Sequence, residues 1–139
     1  MILLDTNVLI YAFDSDSPFC RWARDTIAEA VSGEGAAINA VTLAEICVGD
    51  ADPSSVANRI RGWGVEILDV PAAAAERAAL AYLQYLKRRS ARHTSPSPDM
   101  PLPDFFIGAH ASIMGWSLAT ADRGRFRTYF RSLTLETPL

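Results

Sequence analysis

Short apolar stretches alternate with longer segments of helical periodicity along this chain. The first stretch, Ile2-Leu3-Leu4, ends abruptly at Asp5. Apolar runs of this length, bounded by turn residues, are typical of strands that are buried on both faces. The predicted strands are residues 2–4, 36–39, 65–70 and 117–120, with residues 133–135 as a possible fifth.

The segments between these strands have the spacing of amphipathic helices. After Ser17-Pro18, apolar residues recur at helical intervals, and we expect Pro18 at the first helical position. Residues 90–103 contain four prolines and predict a loop. Further helices are predicted over residues 42–48, 53–63, 72–89 and 104–114. Strands that alternate with helices indicate an α/β protein whose parallel sheet is covered on both faces.

Composition narrows the class of protein. With 139 residues, half of them hydrophobic, the chain is expected to form one globular domain over residues 1–139. No leader peptide or membrane-spanning stretch is evident, so no membrane association is expected. Two cysteines predict a reduced, cytoplasmic protein, and with two histidines they are too few for a structural zinc site.

Charge is unevenly distributed. The net charge of −3 argues against a general nucleic-acid binder, which needs a basic face. Basic residues nevertheless form two clusters in the sequence. They are Lys87, Arg88, Arg89 and Arg92 in the first cluster, and Arg123, Arg125, Arg127 and Arg131 in the second.

Four acids occupy equivalent positions in the predicted fold. Asp5 follows the first strand, Glu45 lies early in the helix after the second, Asp104 opens a helix, and Asp122 follows the fourth strand. Ligands gather at the carboxyl ends of parallel strands, so these side chains are expected to meet at one edge. Converging carboxylates repel each other unless a cation neutralises them, and Mg²⁺ or Mn²⁺ is the natural counter-charge.

Each acid also has a purely structural interpretation. Glu45 stands three residues after Thr42, which is the spacing of a capping box. Asp104 is favoured by the helix dipole, Asp5 could cap a helix, and Asp122 could be a turn residue. The hypothesis of a metal site therefore depends on the set and not on any one acid.

Four sequence motifs resemble those of PIN-domain nucleases. They are LLDTNVL at residues 3–9, NAVTLAEI at 39–46, PDFFIGAHA at 103–111 and LATADRGRF at 118–126. Their order and spacing, and the total length, are similar to VapC-type toxins of toxin–antitoxin pairs. The loop at residues 90–103 is longer and richer in proline than is common before the third motif.

The resemblance implies a three-layer α/β/α sandwich with a central, mostly parallel sheet and endonucleolytic cleavage of RNA. It also implies a VapB-like antitoxin that blocks the acidic site, a homodimer, and products with 5′-phosphate and 3′-hydroxyl ends. In this interpretation Asp5, Glu45, Asp104 and Asp122 hold Mg²⁺ or Mn²⁺, which activates water for in-line attack on phosphorus.

Other residues have predicted supporting roles. Thr6, Asn7 and Thr120 would orient the carboxylates by hydrogen bonding, although capping and turn formation explain Asn7 and Thr120 equally well. RNA contacts are predicted for Arg88, Arg89, Arg92, Arg123 and Arg125. The alternative for the first three is a solvated helix C-terminus.

Three other functions are open to a fold of this kind. A Mg²⁺-dependent phosphatase usually needs a second aspartate two residues after the first, but position 7 is Asn. A receiver-type phospho-acceptor domain needs a lysine after a late strand, and none is present there. A non-catalytic module that binds nucleic acid or protein remains as the third alternative.

Overall fold

The central layer is a five-stranded sheet in which every neighbouring pair is parallel. The computed structural model describes residues 1–91 and 100–138. The strand order is β3-β2-β1-β4-β5, so the first strand lies in the middle. The strands are β1 Ile2–Leu4, β2 Ala36–Asn39, β3 Glu66–Leu68, β4 Ser117–Ala119 and β5 Leu135–Glu136.

Helices cover both faces of this sheet. They are α1 Thr6–Phe13, α2 Cys20–Ser32, α3 Ala40–Val48, α4 Pro53–Gly62, α5 Ala72–Ala91, α6 Leu102–Met114 and α7 Arg123–Tyr129. Ile2 and Leu4 point into a core formed with α1, α2 and α4, while Leu3 points into a second core formed with α5, α6 and α7. The predicted three-layer α/β/α sandwich is therefore confirmed.

Two helices lie where the sequence pattern gave no helix. Helix α1 contains Thr6, Val8 and Ile10, β-branched residues of low helix propensity, and α7 is short and contains Gly124. Each begins at an aspartate that caps it. The carboxylate of Asp5 accepts from Thr6 N at 2.7 Å, and that of Asp122 accepts from Arg125 N at 3.4 Å.

Three helices begin at residues other than the predicted ones. Helix α2 begins at Cys20, so the prediction of Pro18 as its first residue was wrong. Helix α3 begins at Ala40 rather than Thr42, because the Asn39 side chain accepts from Val41 N and Thr42 N. Helix α6 begins two residues before Asp104. In the described part of the chain, no helix is long and apolar enough to cross a membrane.

Candidate acidic site

Asp5 lies at the carboxyl end of the central strand and is 4% exposed. Its Oδ1 accepts from Thr6 N at 2.7 Å, and its Oδ2 accepts from the Thr120 hydroxyl at 2.8 Å. Burial is the main reason that the pKa of Asp5 is raised to about 7, against the lowering effect of these two hydrogen bonds. The charges of Asp104 and Glu45 add to the rise, so both carboxylates are near enough to repel Asp5.

Asp104 lies in the first turn of α6 and is 7% exposed. Burial raises its pKa, the Arg125 guanidinium opposes that rise, and the charges of Glu45 and Asp122 add to it. Arg125 Nη1 donates to Asp104 Oδ2 at 2.7 Å, and its Nε lies 2.8 Å from Asp122 Oδ2. One guanidinium therefore bridges two of the four acids.

Glu45 reaches the cluster from the second turn of α3. Its Oε1 accepts from the Thr6 hydroxyl at 2.7 Å, and the same hydroxyl lies 3.3 Å from Thr42 Oγ1. Asn39, not Thr42, caps this helix, so the capping-box interpretation of Glu45 was wrong. The side chain of Glu45 is instead directed to the end of the central strand.

Hydrogen bonds between Asn7, Thr120 and the following backbone join the ends of β1 and β4. Asn7 Nδ2 donates to Thr120 Oγ1 at 3.5 Å, and Asn7 Oδ1 accepts from Ala121 N at 3.2 Å. Thr120 Oγ1 also accepts from Asp122 N at 3.0 Å. Asp5 and Asp122 are thus held to the same support, although 117 positions separate them in the sequence (122 − 5).

The four acids suit a divalent cation in donor type and in charge. Carboxylate oxygens are the ligands that Mg²⁺ and Mn²⁺ prefer. Burial is the main cause of the raised pKa values of Asp5 and Asp104, and the charges of neighbouring acids add to it. Among the residues that the structure describes, no three Asp, Glu, His or Cys side chains are arranged to share one ion. Asp104 and Asp122 are held by Arg125, and Glu45 is held by Thr6.

The basic residues named from the sequence are divided between two places. Arg125 lies among the acids, and Arg123 is the exposed first residue of α7. Arg88 lies 5.7 Å from the Tyr129 ring centre, and Arg89 donates to the Tyr85 hydroxyl at 2.8 Å. Arg92 lies outside the described residues.

A buried pair behind the site was not anticipated from the sequence. His110 Nδ1 lies 3.2 Å from Asn39 Nδ2, and Asn39 caps the helix that carries Glu45. Burial lowers the pKa of His110, which favours the neutral ring and lets Nδ1 accept this bond. An asparagine directly before a helical segment is a capping signal and could have identified half of the pair.

The fold and this edge define an α/β/α sandwich with an acidic site at the carboxyl ends of its parallel strands. The family model of the PIN domain matches residues 2–130. The chain belongs to the PIN domain family, and the predicted relationship is confirmed. None of the curated proteins compared with the chain matches it.

Solved structures share the fold over nearly the whole chain. One is VapBC2 from Rickettsia felis bound to a promoter DNA fragment, with 19% identity, 99% coverage of both chains and a TM-score of 0.73. Another is VapBC-1 from nontypeable Haemophilus influenzae, with 20% identity, coverage of 99% and 98%, and a TM-score of 0.68. VapC20 from Mycobacterium tuberculosis, a toxin that cleaves the sarcin–ricin loop, has 17% identity, coverage of 92% and 94%, and a TM-score of 0.64.

Proposed function

We propose that this protein is an endoribonuclease that depends on Mg²⁺ or Mn²⁺ and acts as the toxin of a VapBC-like pair. The observation that carries the proposal is the convergence of Asp5, Glu45, Asp104 and Asp122 at one edge of a PIN-domain sheet. Burial is the main cause that raises the pKa of Asp5 to about 7, and repulsion from the charges of Asp104 and Glu45 adds to it. A cation at this edge would relieve that repulsion.

In this proposal all four carboxylates hold the cation, directly or through water. When bound, the ion supplies Lewis-acid chemistry that polarises the phosphodiester and makes water nucleophilic at neutral pH. The residues of the chain contribute orientation: Thr6 fixes Glu45, and Thr120 fixes Asp5. A cation at Asp104 would compete with Arg125 for this carboxylate, and the guanidinium would then be available to a phosphate oxygen.

RNA cleavage with purified protein tests the proposal. We expect the wild type to cut a structured RNA in Mn²⁺ or Mg²⁺ and to stop on addition of EDTA. Asp104→Asn should reduce the rate at least about a hundredfold, as expected when charge stabilisation at a reacting phosphate is lost. Asp69→Asn is the control, because Asp69 is exposed and also follows a strand. Equal rates for wild type and Asp104→Asn would refute the mechanism.

One observation favours a second candidate function, that of a non-catalytic module that binds nucleic acid or protein. In the described residues no three acids are yet placed to share an ion, so the site as built could bind a cationic group instead. A nuclease shortens RNA, a phosphatase releases phosphate from small esters, and a binding module does neither. These three outcomes distinguish the three functions in one set of assays.

We propose two protein partners, a VapB-like antitoxin and a second copy of the toxin. The proposed location of the complex is the cytoplasm. The solved neighbours include VapBC complexes, which supports the first. Leu80, Leu83 and Leu86 form an exposed apolar row on α5, which supports the second. Light scattering of wild type and Leu83→Glu tests the homodimer, since a charge in this row should produce the monomer.

A further inference from the structure

A basic pocket lies between α5 and the C-terminal end of α7, away from the four acids. Its volume is about 500 Å³, and none of the described residues that line it is a carboxylate. The side chains that matter for its chemistry are those of Arg77, Gln84, Arg88, Tyr129, Arg131 and Ser132.

Arg77 is fixed in this pocket by a backbone carbonyl and an aromatic ring. Its Nη2 donates to the backbone carbonyl of Tyr129 at 3.0 Å, and its guanidinium lies 4.8 Å from the ring centre of Phe130. Phe130 is 1% exposed, so the surface beneath the guanidinium is part of the rigid core. The bond to Tyr129 O satisfies one of the last carbonyls of α7 and uses one of the five N–H donors of Arg77.

Arg88 and Arg131 bring two more positive charges to the same cavity. Arg88 is placed over the Tyr129 ring at 5.7 Å, and Arg131 follows Tyr129 by two residues. In residues 1–91 and 100–138, no carboxylate lies within ion-pair distance of Arg77, Arg88 or Arg131. Three like charges therefore meet at one cavity, and the described part of the chain supplies no ion-pair partner for them, in a protein whose net charge is −3.

An anion is the ligand that suits this arrangement. Guanidinium groups held by stacking present their edges to phosphate oxygens, and hydroxyl and amide groups from Tyr129, Ser132 and Gln84 add neutral donors. A pocket lined by such groups offers little to an apolar side chain. Its chemistry is that of a phosphate site.

Helix α7 connects this pocket to the acidic site. Asp122 caps the helix at one end and Tyr129 ends it at the other, a span of about 10 Å at 1.5 Å per residue. Arg123 and Arg127 are exposed on the helix between these ends. They are one turn apart, so positive charge extends from the acids toward the pocket.

We propose that the Arg77–Arg88–Arg131 pocket binds a phosphate of the substrate RNA at some distance from the phosphate that is cut. The proposal rests on the function proposed above and adds to it a place for the flanking strand. The reacting phosphate lies at the acids, and the RNA backbone runs along α7 from there to the pocket. The pocket thereby determines how strongly a longer RNA is held.

The double variant Arg88→Gln/Arg131→Gln tests this assignment and leaves the structurally bonded Arg77 intact. Arg21→Gln/Arg61→Gln is the matched control, because both of its arginines are exposed on other helices and the change in net charge is equal. Fluorescence anisotropy with a labelled single-stranded RNA of about 16 nucleotides gives the affinity in EDTA over a range of salt concentrations.

We expect the pocket variant to bind this RNA about tenfold more weakly than the control variant at moderate salt. The slope of log affinity against log salt should fall in magnitude by about 1.4, which corresponds to two lost phosphate contacts to a single strand. The affinity for Mn²⁺, measured by calorimetry, should be equal in both variants. Equal RNA affinities and equal slopes would overturn the proposal.

Cleavage of the same RNA in Mn²⁺ separates this proposal from the nuclease proposal. If the wild type cleaves but the pocket variant binds RNA like the control, the pocket assignment fails and the nuclease stands. If the wild type does not cleave but RNA binding still depends on Arg88 and Arg131, the nuclease fails and the pocket stands.

Inorganic phosphate and an acidic peptide are two other anionic ligands, and each would give a result different from that expected for RNA. Inorganic phosphate is the true ligand if it raises the melting temperature of the control but not of the pocket variant while both bind RNA equally. That result would identify a small-anion site and overturn the RNA assignment. An acidic peptide that binds through these arginines, again with RNA affinity unchanged, would overturn it in favour of a protein partner.

Discussion

Arg125 donates a hydrogen bond of 2.7 Å to Asp104 and so places a positive charge inside the acidic cluster. Its Nε lies 2.8 Å from Asp122. The side chain of Asp104 is 10% exposed and that of Arg125 is 38% exposed, so the pair is only partly screened by water. A divalent cation bound by the Oδ2 atoms of these two acids would have to displace the guanidinium, so we expect Arg125 to compete with the metal.

We therefore expect Arg125→Gln to change stability and metal affinity in opposite directions. Without metal, loss of the guanidinium leaves Asp104 and Asp122 to repel each other, and unfolding should become easier by about 1–2 kcal/mol after allowance for the exposure of Arg125. With the competitor removed, Mn²⁺ should bind more tightly. Urea denaturation in EDTA and calorimetric titration with Mn²⁺ measure the two effects.

Arg127→Gln is the control, because Arg127 is an exposed arginine of the same helix. It changes the net charge equally without removing a bond to Asp104. Weaker Mn²⁺ binding by Arg125→Gln than by this control would show that the guanidinium assists the metal rather than competing with it.

The buried Asp5 should make metal-free stability depend on pH. Burial is the chief reason that the pKa of this carboxyl rises from its ordinary value of 3.8 to about 7 in the folded protein. Between these values the folded state keeps a proton that the unfolded state releases, so the free energy of unfolding falls as the pH rises from about 4 to about 7. Above about 7 both states are ionised and this contribution no longer changes.

Asp5→Asn should remove this dependence and stabilise the metal-free protein at pH 8. The gain has an upper limit of about 4 kcal/mol, since each pKa unit corresponds to about 1.4 kcal/mol. Urea denaturation in EDTA from pH 4 to pH 8 gives the comparison. Parallel pH profiles for wild type and Asp5→Asn would mean that Asp5 ionises normally in the folded protein.

The Thr6 hydroxyl should matter for metal binding more than for folding. It donates to Glu45 at 2.7 Å, while valine at this position would retain the shape of the side chain and lose the donor. We expect Thr6→Val to reduce Mn²⁺ affinity about 10–100-fold, as is usual for residues that orient metal ligands. Thr6→Ser restores the hydroxyl and should restore the affinity. If the Thr6→Val protein binds Mn²⁺ as tightly as the wild type does, Glu45 does not need this hydrogen bond to bind the metal.

Gly108 is required by the packing of α6 against the end of α7. A Cβ at this position would lie 2.5 Å from Cε2 and 2.7 Å from Cδ2 of Phe130, whose ring is held in the core. Gly108→Ala should therefore destabilise the protein by about 1–3 kcal/mol, the usual cost of overpacking. In contrast, a Cβ at Gly62 meets nothing within 4 Å. Gly62→Ala should be neutral or slightly stabilising, and thermal denaturation of both variants tests the difference.

Much of the fold was accessible from the sequence because parallel strands buried on both faces have a simple pattern. Ile2-Leu3-Leu4 is apolar throughout and is followed by a carboxylate, and both features survive in the structure as a buried strand and the aspartate at its end. Helix α5 was predicted from its composition, since it is rich in alanine and leucine, which favour the helical conformation.

Helices α1 and α7 were not predicted because capping, rather than propensity, determines where they begin. Asp5 and Asp122 each cap a helix and also contribute to the acidic cluster, so one side chain serves two purposes. A sequence pattern reveals the helix-forming tendency of a segment but not which of these purposes its first aspartate serves. The predicted acids were found at one edge, although their binding of a metal stays a prediction.

The place of Arg125 could not be inferred from sequence. Four arginines follow Asp122 at close intervals, and nothing in their order distinguishes the one that turns inward. Its orientation depends on Asp104, which precedes it by 21 positions and arrives on a different helix. Contacts of this range are set by the topology of the sheet.

The central position of β1 also determines when the site can form. Thr120 must reach Asp5 across 115 positions, and β4 must pair with a strand that is synthesised earlier. Until β4 has been synthesised, β1 lacks one of its two neighbouring strands. The acidic cluster is complete only after residue 122 has been added and released from the ribosome, so a nascent chain that ends before β4 carries no assembled site.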